Sequence, residues 1–151
     1  MSIANFAKLN ENGIVVDIFA VDQTDVDNNG GDNSIEAENW IKKNIIKNES
    51  IIIKQFYKDK SFRTNCAEID GYYDFNNDVF VGRKPYSSWV LGDDFKWRAP
   101  IAYPTVLEDP DLVEWKYYPT WDEEQKIWKS WGPNNEKLEW NSSTYNWDIV
   151  N

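Results

Sequence analysis

The amino-acid sequence predicts an α+β fold: a compact ββαβββ unit over residues 1–82, with one helix on an antiparallel sheet, followed by irregular aromatic β-hairpins over residues 83–151. Three observations predict it. In the first half, strand-like apolar runs alternate with turn residues, and only one stretch has a helical apolar period. Eight of the nine tryptophans lie after residue 88. Aromatic residues seven positions apart recur between Tyr73 and Trp147.

The first two elements are predicted to form a β-hairpin. Two apolar segments, 6–9 and 14–21, flank the pair Asn12-Gly13, and Asn-Gly is a strong signal for a hairpin turn. The second segment is apolar at nearly every position, so we expect it to be a central strand covered on both faces. The polar residues 22–33 include two glycines and predict a loop.

A single helix is predicted over residues 35–47, and Asn33 with Glu36 fits a capping-box start. The apolar residues on one face of this helix are Ala37, Trp40, Ile41 and Ile45. After it we expect a strand at 51–57, a turn at 59–64, and a hairpin of 67–73 with 78–81. A shift in composition between residues 83 and 97 predicts the boundary of the second region.

The recurring pattern is an aromatic residue, then Asp or Asn, then another aromatic seven positions after the first. It reads Tyr73-Asp74 to Phe80, Trp121-Asp122 to Trp128, and Trp140-Asn141 to Trp147, with Val90 to Trp97 as a degenerate copy. If the two aromatics face each other across a strand pair, four residues remain for the loop, a common hairpin length. The Asp or Asn then accepts hydrogen bonds from the turn backbone. Uneven spacing of the copies favours packed hairpins over a solenoid.

Composition excludes several kinds of chemistry. The chain has no histidine and one cysteine, Cys66, which rules out catalysis by Ser-His-Asp or Cys-His, histidine zinc sites and an intrachain disulfide. We expect Cys66 to be a small buried residue of a strand, and we predict no catalytic residues, cofactor or metal. A net charge of −10 argues against nucleic-acid binding. Because neither a long apolar run nor a signal peptide is evident, we expect no membrane insertion and no export.

One acidic segment matches the pattern of a calcium-binding loop. Asp25, Asp27 and Asn29 alternate before Gly30, and Glu36 closes the segment at the start of the predicted helix. The element before it is a predicted strand rather than a helix, however, and an aspartate occupies the usual aliphatic position. The favoured interpretation is an acidic surface loop whose glutamate caps the helix, and calcium binding stays open as the alternative.

The sequence resembles a family of small proteins of marine tailed phages, especially T4-like cyanophages, over about residues 4–104. The series that carry the resemblance are Arg63-x-Asn65-x-Ala67, Lys84-Pro85-Tyr86-x-Ser88-Trp89 and Trp97-Arg98-Ala99-Pro100. Members are described as virion structural proteins or are uncharacterised, so the resemblance implies a structural role and no catalytic residues. The acidic loop and the second late aromatic hairpin depart from the common pattern.

From these observations we predict a non-enzymatic structural or accessory protein of a phage particle. It is expected in the capsid, neck or tail, in an oligomeric assembly, bound to other virion proteins through aromatic hairpins. The candidate partner-binding residues are Trp121, Trp128, Trp131, Trp140 and Trp147. The main alternative is an adsorption module that stacks host glycans on exposed tryptophans; a glycan-cleaving enzyme and an acidic decoy are further alternatives. Burial of the late tryptophans in a core would favour the structural role.

Overall fold

The computed structural model of the chain describes residues 2–112 and 114–151. It confirms the α+β class: short helices accompany antiparallel strands that pair in small sheets. The chain forms two compact units, Met1–Lys84 with Asp93–Lys96, and Pro85–Gly92 with Trp97–Asn151. None of the helices in the described part of the chain is long and apolar enough to span a membrane.

The first unit combines a three-stranded sheet with two short helices and a small hairpin. The sheet has the order β2-β1-β3, and its strands are β1 Ile3–Leu9, β2 Val15–Asp22 and β3 Ile52–Phe56. The helices are α1 Gln23–Asn28 and α2 Ile35–Ile41, and α2 continues as a π-helical turn, Lys42–Ile46. The hairpin consists of β4 Tyr72–Asp74 and β5 Val79–Val81.

Strand β2 lies at an edge of the sheet, so the prediction that it is central was wrong. The long β1 takes the central place, pairing with β2 on one side and β3 on the other. Of the apolar β2 residues, Val15 and Val21 are buried, whereas Val16 is 47% and Ile18 36% exposed. Apolar content alone does not distinguish a covered strand from an edge strand, because it does not report the number of neighbouring strands.

Two local details of the 22–36 segment also differ from the prediction. Helix α1 replaces part of the predicted loop; Asp22 caps it by accepting from the Thr24 N–H (2.9 Å), and it buries Val26. Helix α2 is capped by Ser34 rather than Asn33, since the Ser34 Oγ accepts from the Ala37 N–H (3.0 Å). Asn33 instead takes a left-handed conformation (φ 62°) just outside the helix.

The sheet has a hydrophobic cluster on each face. One cluster packs α1 and α2 against alternate residues of the strands, and its members include Phe6, Val21, Val26, Ile41 and Ile53. The other packs the β4–β5 hairpin against the opposite face, and its members include Ala7, Leu9, Phe56, Tyr73 and Phe80. The period-2 alternation of β1 supplies both clusters, so this strand holds the unit together.

A partly buried cation joins β3 to the β4–β5 hairpin. The Arg63 guanidinium, whose side chain is 6% exposed, donates from Nε to Asp78 (2.7 Å) and from an Nη to the Gln55 carbonyl (2.6 Å). The Tyr73 hydroxyl donates to the same Asp78 carboxylate. Burial, and then this hydrogen bond, raise the pKa of Tyr73 well above its ordinary value. Donors from Tyr73 and Arg63 outweigh the effect of burial on Asp78 and lower its pKa.

The Arg63-x-Asn65-x-Ala67 series therefore serves the fold. Asn65 donates from its amide to the Phe80 carbonyl (2.9 Å) and the Phe95 carbonyl (3.1 Å), and Ala67 is buried. Between them Cys66 lies outside any strand, which corrects the expectation of a strand residue, and it is only half-buried. Its Sγ lies 3.4 Å from the Lys58 carbonyl oxygen.

The second unit contains one short strand pair and a four-stranded antiparallel meander. The pair consists of β6 Val90–Leu91 and β7 Trp97–Arg98. The meander runs β8 Thr120–Asp122, β9 Ile127–Trp131, β10 Lys137–Asn141 and β11 Asn146–Val150, each strand beside the next. The two late hairpins therefore form one regular sheet.

The cross-strand pairs predicted for the three full copies of the aromatic pattern are confirmed. Their registers are Tyr73 with Phe80, Trp121 with Trp128, and Trp140 with Trp147. In each hairpin the Asp or Asn accepts from turn N–H groups, and the last loop residue is left-handed. These acceptors are Asp74, Asp122 and Asn141, and the left-handed residues are Asp78, Lys126 and Tyr145.

The degenerate copy does not follow the predicted register. Trp97 pairs with Leu91 rather than Val90, which pairs with Arg98, so the loop has five residues instead of four. Leu91 occupies the position where the other copies have Asp or Asn, and a leucine side chain offers no acceptor to hold the four-residue turn.

Removing the charge of Asp78 tests the Arg63 network. We expect Asp78→Asn to lower the free energy of unfolding by about 1 kcal/mol, because the guanidinium keeps the Gln55 carbonyl but loses its carboxylate, and solvent at the exposed carboxylate screens the pair. Urea denaturation measures it, with the exposed turn residue change Glu11→Gln as control. Equal stability of Asp78→Asn and the control would contradict a structural role for the network.

Candidate partner-binding site

Four of the five candidate tryptophans form a buried row across the meander, which we call the tryptophan row: Trp121, Trp128, Trp140 and Trp147. Each is less than 10% exposed. In both hairpins the paired indoles have centroids 5.2 Å apart and an interplanar angle of 66°, an edge-to-face contact. The register of β9 with β10, extended two residues from the Ser130–Leu138 pair, places Trp128 opposite Trp140.

A stretch without regular secondary structure, residues 99–106, packs against this row, and we call it the covering segment. The Trp128 indole N–H donates to the Ile101 carbonyl (2.9 Å), and the Trp147 indole N–H donates to the Val106 carbonyl (2.8 Å). Pro104 is fully buried in the segment. Irregular backbone with free carbonyl groups thus satisfies the polar atoms of side chains that are otherwise apolar.

The Glu123 carboxylate holds a second segment, at Ser87 and Ser88, close to the tryptophan row. It accepts from the Ser87 hydroxyl (2.6 Å), from the Ser88 N–H (2.8 Å) and hydroxyl (2.6 Å), and from the Trp121 indole N–H (2.8 Å). These hydrogen bonds, led by those of Ser87 and Ser88, lower the pKa of Glu123 to about 2. The charged Glu123, which directly follows β8, is therefore hydrogen-bonded to Ser87 and Ser88 of the Lys84-Pro85-Tyr86-x-Ser88-Trp89 series.

Trp89, the last residue of that series, packs onto the tryptophan row. Its ring centroid lies 6.1 Å from that of Trp128 and 6.4 Å from that of Trp121, both edge-to-face. The Tyr86 ring centroid lies 5.6 Å from that of Trp89. Ser88 and Trp89 thus help to build the core of the second unit.

Trp131, the fifth candidate, lies on the opposite face of the sheet. It is 56% exposed and shares that face with a polar row in which Lys129 contacts Asp122 (2.9 Å) and Glu139 (3.9 Å). Trp128 and Trp131 are an odd number of positions apart on one strand, so alternation directs them to opposite faces. The five candidates do not make one exposed platform of the kind that the glycan hypothesis requires.

Trp131 forms part of the wall of an aromatic groove, which we call the Trp131 groove. It has a volume of about 360 Å³ and is lined by Glu114, Trp115, Lys116, Tyr118, Ser130 and Trp131. Tyr118 is 76% exposed, and its N–H donates to the Ser130 hydroxyl (3.2 Å). The buried indole nitrogen of Trp115 has no hydrogen-bond partner within the described residues. The groove therefore has exposed aromatic walls, formed by Tyr118 and Trp131.

The acidic 25–36 segment does not form a calcium-binding loop. Asp25 and Asp27 lie within α1, where side chains two positions apart point in different directions. Asn29 donates its amide to the Asp25 carbonyl (2.7 Å), and Asp27 accepts from Gln23 (2.9 Å). Glu36 lies in the first turn of α2. Over residues 2–112 and 114–151, no cluster of three His, Cys, Asp or Glu is arranged to hold a metal ion.

Asp32 of the same segment accepts a hydrogen bond from the buried side chain of Gln55. Gln55 donates from Nε2 to Asp32 (2.5 Å) and accepts from the Asn33 N–H (2.8 Å), while Gln23 donates to the same carboxylate (3.0 Å). Burial acts to raise the pKa of Asp32, but the hydrogen bonds from Gln55, Gln23 and Tyr57 outweigh it and lower the pKa. The segment is anchored to β3 through neutral donors.

Several carboxyl groups of the second unit accept hydrogen bonds that lower their pKa. A hydrogen bond from Lys129 is the largest cause of the lowered pKa of Asp122, and one from Asn134 is the largest cause for Glu136. General acid catalysis in glycosidases needs a carboxyl group with a raised pKa. These carboxylates are therefore suited to holding turns and strands together.

Comparisons with protein family models, with curated proteins and with solved structures find no match to this chain. The functional argument therefore depends on the residues themselves. Glu123, Trp89 and the covering segment are the positions that sequence reasoning missed. Strand alternation could have separated Trp131 from the buried row, but nothing local in the sequence indicated that Glu123 would meet Ser87 and Ser88.

Glu123→Gln tests the carboxylate clamp by its pH dependence. The pKa of Glu123 is lowered from 4.5 to about 2 in the folded chain. Its stabilising contribution is therefore present above pH 4.5 and is lost as the pH falls towards 2. We expect the variant to unfold at lower urea concentration at neutral pH, and the difference from wild type to shrink over that acid range. Glu124→Gln, at an exposed neighbour, is the control. A difference independent of pH would contradict the clamp.

Trp128→Phe and Trp131→Phe separate the buried row from the exposed groove. Trp128→Phe removes the hydrogen bond to Ile101 and leaves space in the core, so we expect the free energy of unfolding to fall by about 1–3 kcal/mol. Trp131→Phe should stay within about 0.5 kcal/mol of wild type, since the residue is exposed. Urea denaturation followed by circular dichroism measures both. Similar losses in the two variants would contradict the assignment of faces.

Proposed function

We propose that the chain is a non-enzymatic structural or accessory protein of a tailed-phage particle, located in the capsid, neck or tail and bound to other virion proteins. The resemblance of residues 4–104 to proteins of marine phages supports the source. The way in which this chain uses its polar and aromatic residues supports the structural role.

The residue series behind the resemblance hold the fold together. Arg63 and Asn65 connect β3, the β4–β5 hairpin and the 93–96 loop of the first unit. Ser88 and Trp89 connect their own segment to Glu123 and the tryptophan row in the second unit. Because the residues of these series make contacts within the chain, the chain is suited to a structural or adaptor role.

The Trp131 groove is the observation that best supports the proposed binding of partner proteins. Tryptophan and tyrosine are enriched among the residues that dominate protein–protein binding energies, and here both are largely exposed beside a concave surface. Lys116 and Glu114 at its margin provide a charged rim around an apolar centre. A partner side chain that fills the groove buries aromatic surface which the isolated chain leaves in water.

The edge strand β2 is a second surface suited to assembly. Its Val16 and Ile18 are exposed, and the described chain pairs only its first residues, near Gly71, on the side away from β1. Asp17 accepts from the neighbouring Ile18 N–H (2.9 Å), which occupies one donor that an incoming strand would use. Charged residues at such positions limit uncontrolled edge pairing. Strand β2 is thus partly protected against pairing with another strand, while Val16 and Ile18 give it an apolar exposed surface.

Two measurements test the proposal. Mass spectrometry of purified particles of the phage that encodes the chain is expected to detect it, and its absence from mature particles would overturn the proposal. Trp131→Ala is expected to lower its incorporation about tenfold, the effect of losing one strong interface residue.

Tyr145→Asn is the matched control for that variant. Tyr145 is also an exposed aromatic residue of the meander but lies in a left-handed turn position that asparagine tolerates, away from the groove. We expect normal incorporation. Equal incorporation of both variants would place the partner contact elsewhere and contradict the role of the groove.

A further inference from the structure

Two edge strands, one in each of the larger sheets, contain the same local hydrogen bond. In β2 the Asp17 carboxylate accepts from the Ile18 N–H (2.9 Å). In β11 the side-chain carbonyl of Asn146 accepts from the Trp147 N–H (2.9 Å). In both strands the acceptor belongs to the residue directly before the donor. Such bonds from Asp and Asn side chains to nearby backbone compete with the pairing of strands.

The Ile18 N–H points away from its sheet. At the end of β2 the Gln23 N–H donates to the Ser2 carbonyl (3.0 Å), so the backbone of Gln23 faces β1. In an antiparallel strand, residues that bond to one neighbour alternate with residues that face the other side. Counting back from Gln23, Ala20 and Ile18 therefore direct their N–H groups away from β1. Both residues are exposed, so a further strand has access to this edge.

The Trp147 N–H also points away from its sheet. At the turn between β9 and β10, the Gly132 N–H donates to the Glu136 carbonyl (2.8 Å), so the backbone of Glu136 faces β9. By the same alternation Trp140 faces β9 and does not bond to β11. Its cross-strand neighbour Trp147 therefore directs its N–H to the side of β11 away from β10.

The other edges of these two sheets are protected in different ways. On β3, the Gln55 carbonyl accepts from the Arg63 guanidinium (2.6 Å). Strand β8 has three residues, and a short edge strand offers little backbone for pairing. Strands β2 and β11 are longer, with eight and five residues, and on them Asp17 and Asn146 each occupy an outward N–H group.

We propose that Asp17 and Asn146 are edge caps: each side chain occupies an outward N–H group and so keeps its strand from pairing with the same strand of a second copy of the chain. An incoming strand has to displace the cap before its own carbonyl can accept from Ile18 or Trp147. The proposal goes beyond the proposed function, because it concerns copies of the isolated chain and requires no phage particle.

A second copy is the strand that these caps exclude. An unpaired edge is a template for strand addition, and two identical edges that pair antiparallel form a closed, two-fold symmetric dimer. Such pairing would bury apolar side chains that follow the caps, since Ile18 is 36% and Ile149 66% exposed. The edges are therefore suited to self-pairing in everything except the capped N–H group.

Two variants of Asp17 separate the acceptor from the charge. Asp17→Asn keeps a side-chain oxygen, which Asn146 shows to be sufficient, whereas Asp17→Ala has no acceptor; both variants have the same net charge. One hydrogen bond contributes about five- to tenfold, and a symmetric dimer displaces two caps. We therefore expect Asp17→Ala to dimerise about 25- to 100-fold more strongly than Asp17→Asn. Sedimentation equilibrium of the full chain, from micromolar to millimolar concentration, measures both dimerisation constants.

A substitution at Ala20 locates the association. Because the Ala20 N–H points outward, proline there removes a donor that an incoming strand needs and none that β1 uses. We expect Asp17→Ala combined with Ala20→Pro to dimerise no more strongly than Asp17→Asn. Circular dichroism checks that each variant is folded. If the proline variant does not fold, Ala20→Lys in the same background provides the test, since edge lysines oppose strand pairing.

Asn146→Ala tests the second cap against wild type, which has the same net charge, and we expect stronger dimerisation of the variant. Equal dimerisation of Asp17→Ala and Asp17→Asn, whether weak or strong, would overturn the proposal for β2. Equal dimerisation of Asn146→Ala and wild type would overturn it for β11. A wild-type dimer that Ala20→Pro abolishes would show that the β2 cap does not prevent pairing. None of these results affects detection of the chain in phage particles.

Discussion

The structure of the second unit depends on one constraint: a buried indole needs an acceptor for its N–H. A sheet that uses tryptophan where other sheets use aliphatic residues gains a large buried area, but each indole carries a donor into the core. The covering segment meets this need with the Ile101 and Val106 carbonyls, and Glu123 meets it for Trp121. A regular strand in place of the covering segment would have its carbonyls engaged in pairing, so the irregular backbone there follows from the tryptophans beneath it.

The first unit meets a related constraint with charged and amide groups. The Arg63 guanidinium is largely withdrawn from water, and it is retained because Asp78 and the Gln55 carbonyl accept its hydrogen bonds. Buried Gln55 satisfies both ends of its amide through Asp32 and the Asn33 N–H. In both units, polar side chains that resemble functional groups in the sequence are engaged in internal hydrogen bonds. The exposed apolar side chains include aromatic residues, such as Tyr118 and Trp131, and the β-branched residues Val16 and Ile18.

The parts of the fold that could be predicted are those with a local cause. Aromatic spacing of seven with an Asp or Asn predicts the register because a four-residue turn fixes it, and the Val90 copy fails where Leu91 supplies no acceptor. The edge position of β2 depends on how many strands the sheet has, which its apolar residues do not encode. Helix α1 is too short to show an apolar period. For the site, alternation separates Trp131 from Trp128, whereas Glu123 meets Ser87 across 36 positions that no local pattern connects.

The same constraint has two exceptions in the second unit. Among the described residues, only two buried side-chain donors lack an acceptor, the indole nitrogens of Trp89 and Trp115. Trp115 belongs to the lining of the Trp131 groove, and Trp89 packs edge-to-face against Trp121 and Trp128. Both indole nitrogens are withdrawn from solvent, and a buried donor without an acceptor costs about 1–3 kcal/mol. The second unit therefore accepts this cost where aromatic packing places a ring out of reach of a backbone carbonyl.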